Sequence, residues 1–75
     1  MMRSKIRLET LTDINNFIKV VTPLPGKIVV KNTNEDFIVN AKSIFVMICA
    51  MNYDDLWVES ENDIYSHISE FVVVE

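Results

Sequence analysis

The chain has 75 residues, 49% of them hydrophobic and 24% charged, with seven basic against eleven acidic side chains and a net charge of −4. A chain of this length folds to a surface of about 4,700 Å², enough for one two-layer core but not for a second domain or a large cofactor site. The apolar content excludes disorder, and the acidic balance argues against nucleic acid and anionic membrane surfaces as partners.

Met1 to Ile6 carries Arg3 and Lys5 without a following apolar run, so it does not read as a signal peptide. Ile6 and Leu8 alternate with Arg7 and Glu9, so Arg3 to Glu9 is predicted to be a half-buried strand. From Ile14 the period changes. Ile14, Phe17, Ile18 and Val21 recur at helical spacing, with Thr12 or Asp13 available to cap the start. Pro23-Leu24-Pro25-Gly26 stops that helix. Ile28-Val29-Val30 and Phe37-Ile38-Val39 flank the turn-forming Asn32–Asp36 and read as a hairpin. Ser43 precedes Ile44 to Met51, a helix with weak polarity on every side. These eight apolar residues are the longest such run, far short of the ~20 that span a bilayer. Leu56 and Val58 alternate with Trp57 and Glu59 in a last strand. Asn62 or Asp63 then caps a final helix striped by Ile64, Ile68 and Phe71, with Val72 a possible fourth member. The β-branched tail Val72–Val74 is expected to fray.

The order βαββαβα in residues 1–75 predicts a single α+β domain, a two-layer open-faced sandwich. Three helices would cover one face of an antiparallel four-stranded sheet. One cysteine, Cys49, excludes an internal disulfide and a cysteine metal cluster, fits a reducing cytoplasmic setting, and reads as a buried thiol. No cofactor, metal site or independent catalytic set is expected. Asp54-Asp55 and Glu59/Glu61 lack a partner base and read as turn and solvated strand residues. Trp57 is expected on the sheet or its open face, and His67 as a half-exposed helix side chain.

The segment Val39-Asn40-Ala41-Lys42-Ser43-Ile44 resembles the stretch that enters the second helix of the HPr family, phosphocarriers of the bacterial sugar phosphotransferase system. Asp63-x-x-x-His67-Ile68-x-x-Phe71 and the apolar stripe of the first helix resemble the family at their own places, so the likeness covers nearly the whole chain. It implies a histidine that carries phosphate in a Gly-x-His-Ala-Arg-Pro loop before the first helix. Imidazole suits that role because its neutral ring nitrogen is nucleophilic near pH 7. Here the stretch is Glu9-Thr10-Leu11-Thr12-Asp13, with the histidine position near Thr10 and the arginine position near Thr12. The expectation is an HPr-like domain that has lost histidine phosphotransfer.

Two further features follow from the resemblance. Ser43 stands where a regulatory kinase modifies the family, while on its own chemistry it reads first as a plain N-cap, which needs no kinase. Lys42 beside it could pair with a phosphate or be solvated. Ile44, Phe45 and Ile48 stand at the apolar patch with which the family docks partner enzymes. Catabolite-repression paralogues of the family lack the histidine and keep the serine. The functional expectation is a regulatory or protein-interaction module acting through the helix that starts at Ser43. The alternatives are core filling by that helix, a homodimer through it, or a phosphocarrier with an unorthodox acceptor.

Overall fold

The computed structural model of the chain describes residues 1–74. In chain order it contains β1 (Met2–Ile6), α1 (Leu11–Val21), β2 (Ile28–Asn32), β3 (Ile38–Asn40), α2 (Ile44–Met47), β4 (Leu56–Ser60) and α3 (Tyr65–Ile68). Short 3₁₀ segments extend α2 over Ile48–Asn52 and α3 over Ser69–Phe71. The strands form one antiparallel sheet in the order β1-β4-β2-β3. The architecture is therefore the α+β, open-faced βαββαβα sandwich that the periodicities predict.

Period two builds the sheet and divides it into two unlike faces. Ile6, Leu56, Val58, Ile28 and Val30 turn toward the helices and are buried. Ile14, Phe17 and Val21 from α1, Met47 and Ala50 from the second helix, and Ile64, Ile68 and Phe71 from the last complete the core. Phe17 and Phe71 meet edge to face with centroids 5.3 Å apart. Each large side chain buried in this layer contributes roughly 1.5–3 kcal/mol.

The register lays Arg3, Glu59, Val29 and Asn40 across the open face in one row and Lys5, Trp57, Lys31 and Ile38 in the next. Glu59 lies 3.3 Å from Arg3 and 2.9 Å from Lys31, and Lys31 also reaches Glu35 at 3.1 Å. The Arg3 guanidinium sits 4.2 Å above the Trp57 ring centroid. The hydrogen bonds to Glu59 and then Glu35 raise Lys31 above the usual lysine value.

Connections are pinned by side chains. Gly26 takes φ +85, a left-handed conformation, and a Cβ there would lie 2.7 Å from the Asn62 amide nitrogen. Asn62 in turn donates to the Pro25 carbonyl at 3.1 Å. In the hairpin turn Asn32 is buried, donates to Asp36 and accepts from the Phe37 amide at 3.0 Å. Glu35 there takes φ 60.

Several boundaries differ from the sequence expectation. The first strand ends at Ile6 rather than Glu9, because its partner β4 begins at Leu56, opposite Ile6. The cap of α1 is Thr10, not Thr12 or Asp13. The eight-residue apolar helix becomes a four-residue α-helix followed by 3₁₀ turns. The last helix starts at Tyr65, and Asp63 serves it through an Asx turn, accepting from the Tyr65 amide at 3.0 Å, while Ile64 occupies the cap position. The helix stops at Phe71, before the valine tail, as expected, but the tail is paired rather than loose. Val72 forms a β-bridge with Ile6, and the Val73 amide donates to the Lys5 carbonyl at 2.9 Å.

Candidate functional site

The segment before α1 is the first candidate, because the resemblance implies chemistry there. Thr10 and Thr12 are both exposed. Thr10 Oγ1 accepts from the Asp13 amide at 3.1 Å, and Asp13 Oδ2 accepts from the amides of Thr10 at 3.2 Å and Glu9 at 3.0 Å. This is a capping box, and it satisfies helix-end donors that water or an anion would otherwise satisfy. The Asp13 carboxylate therefore occupies the place a phosphate would need, and it brings the same sign of charge. A cleft of about 600 Å³ beside this segment is lined by Arg7, Glu9, Met51, Tyr53 and Asp54 among others. One cation between two carboxylates does not make an anion site.

Ser43 holds the cap position of α2, with φ −103 and ψ 109, yet its side chain makes no capping hydrogen bond. It is half-buried, and its backbone amide donates to the Asn40 carbonyl at 3.1 Å. The reading of Ser43 as a hydrogen-bonded N-cap is therefore corrected: the extended backbone is present and the bond is not. Lys42 is also committed. Its ammonium donates to the carbonyls of Leu24 and, at 3.3 Å, Gly26, so it fastens the α1–β2 loop to the end of β3. Lys42 is thus neither free beside Ser43 nor merely solvated.

The second helix divides its residues unevenly. Met47 and Ala50 are fully buried, and Ile44 is half-buried against the core. Phe45 is 85% exposed, and Val46, Ile48 and Met51 are 39–40% exposed. Of the three residues singled out from the sequence, Phe45 and Ile48 lie on the surface and Ile44 turns inward. Val46 and Met51 join the exposed ridge, which the family's pattern alone does not indicate. An all-apolar run does not announce which residues face inward; only the packing against β3 and α1 decides that. Cys49 lies on this ridge and is exposed, against the expectation of a buried thiol, because its neighbours Met47 and Ala50 take the inward positions.

The remaining candidates fall outside any cluster. His67 is exposed in the last turn of α3. Asp55 accepts from the Thr33 amide at 3.1 Å and holds the hairpin turn. Among the described residues, no group of three His, Cys, Asp or Glu side chains is placed to hold a metal ion. No helix among them is long and apolar enough to cross a membrane. Comparison of the chain with family models, curated proteins and solved structures finds no match.

Proposed function

We propose that this chain is an HPr-like interaction module of the cytoplasm that has lost histidine phosphotransfer and binds a protein partner through the ridge Phe45, Val46, Ile48 and Met51. The observation that carries this reading is the 85% exposure of Phe45 in the first turn of an apolar helix, in a molecule whose other phenylalanines are buried or half-buried. Leaving a phenylalanine in water forgoes roughly 1.5–3 kcal/mol of burial, and contiguous exposed apolar groups mark interaction sites. Loss of phosphotransfer is supported by threonines near the family's histidine and arginine positions and by the Asp13 carboxylate accepting from the Glu9 and Thr10 amides at the start of α1.

A homodimer through the ridge is the less favoured reading. Four partly exposed side chains fall short of the ~800 Å² per partner that a stable interface buries. A small apolar anchor suits a transient complex with a larger enzyme. Ser43 is the proposed regulatory position, since its hydroxyl is not used by a cap and it opens the helix that bears the ridge.

Intact-mass spectrometry tests the reading directly. Incubation with phosphoenolpyruvate and the first enzyme of the phosphotransferase system should leave the mass unchanged. A phosphoryl adduct there would overturn the loss of transfer. Incubation with ATP and an HPr-type serine kinase should add one phosphoryl group to the wild type and none to Ser43→Ala. No addition to the wild type would remove Ser43 from the proposal.

A further inference from the structure

We propose that the outer edge of β1 is a strand-addition site for an extended apolar segment flanked by acidic residues, held shut in this chain by its own Phe71, Val72 and Val73. Antiparallel pairing alternates backbone groups between the two sides of a strand. The Lys5 carbonyl accepts from the Val73 amide at 2.9 Å, and the Arg7 amide donates to the Phe71 carbonyl at 2.9 Å. These bonds flank the Ile6–Val72 bridge. The tail is thus an incipient fifth strand on the side of β1 away from β4. By the same alternation, Arg3 presents its backbone groups outward next in line.

The chemistry of the edge defines its occupant. Arg3, Lys5 and Arg7 are the residues whose backbones face outward, and all three are cationic. Like charges directly opposed across strands are destabilising, so two copies of this edge repel each other, as charged edges commonly do. An acidic strand is complementary. The residues seated there, Phe71, Val72 and Val73, are aromatic and β-branched, and in the sequence they lie between two acids, Glu70 and Glu75. Main-chain bonds would supply binding and the cations would supply selectivity, as in strand-addition complexes generally. The opposite edge, β3, has three residues and an exposed Ile38, and no described segment pairs with its outer side, so it serves as the control.

The experiment uses the full chain with Val73→Pro. This removes the N–H that Lys5 accepts, and Val72, at φ −74 and ψ 135, already has the conformation a residue takes before proline. Hydrogen exchange at the Arg7 amide should quicken by about fivefold, the net worth of one backbone hydrogen bond. A blocked peptide of the sequence Ser-Glu-Phe-Val-Val-Val-Glu should then shift the Arg3, Lys5 and Arg7 amide resonances of Val73→Pro saturably, and those of the wild type much less. Replacing both glutamates of the peptide by lysine should weaken the effect. The isosteric Val72→Thr, which keeps every backbone donor, should give the same gain at smaller size. Unchanged exchange at Arg7, no shifts in either variant, or shifts confined to β3 would each overturn the proposal.

Discussion

The first and second helices are made from comparable amounts of apolar residue and end in opposite conditions. α1 obeys every local rule: a capping box, an acidic first turn, a lysine in the last turn, and one apolar stripe buried on the sheet. α2 obeys few. Its cap residue makes no side-chain bond, its α-helical part lasts four residues before tightening to 3₁₀, and its largest apolar side chain stands in water. Local rules and fold usually agree, and the places where they part are where function is expected. α1 is explained by stability alone; α2 is not.

Substitutions can break that contrast. The largest effect is expected from Phe17→Ala, which empties a fully buried site in contact with Phe71 and should cost about 3–5 kcal/mol. Phe45→Ala should change stability by no more than about 0.5 kcal/mol. Urea denaturation of both measures the difference, and equal losses would show that α2 is as structural as α1. The caps give a smaller version of the same test. Thr10→Ala removes the capping hydrogen bond of α1 and should cost about 1 kcal/mol, while Ser43→Ala removes no such bond and should be near neutral.

The smallest effect lies on the open face, away from both helices. Lys31 has its folded value raised by Glu59 and Glu35, so its contribution is complete below the ordinary lysine value and is lost as pH rises through the raised one. Stability measured across that alkaline range should fall slightly more in the wild type than in Lys31→Met. Identical curves would mean the ion pairs contribute nothing.

The division between legible and illegible follows the same contrast. α1 could be read because Ile14, Phe17 and Val21 repeat at 3.6 residues and polar residues mark the other side. The hairpin could be read because Asn32–Asp36 interrupts two β-branched runs. The capping box was present as Thr10-x-x-Asp13, but Thr12 and Asp13 lie nearer the first buried isoleucine and drew the expected start forward. The inward and outward sides of Ile44–Met51 could not be separated, since no polar residue breaks the symmetry, and the shift to 3₁₀ geometry depends on bonds that side-chain pattern does not encode. The exposure of Cys49 is invisible in the sequence for the same reason. The tail's pairing with β1 was hidden because a valine run suits a fraying helix end and a strand equally well.

The central claim is that the exposed ridge of the second helix is a docking surface. Titration of the ¹⁵N-labelled chain with the first enzyme of the phosphotransferase system, followed by amide shifts, tests it most directly, with Phe45→Asp/Ile48→Asp as the comparison. The account predicts saturable shifts over residues 44–52 in the wild type, their loss in the double variant, and the same denaturation midpoint for both proteins to within a small margin. Absence of shifts in the wild type, or shifts that survive the double substitution, would contradict it.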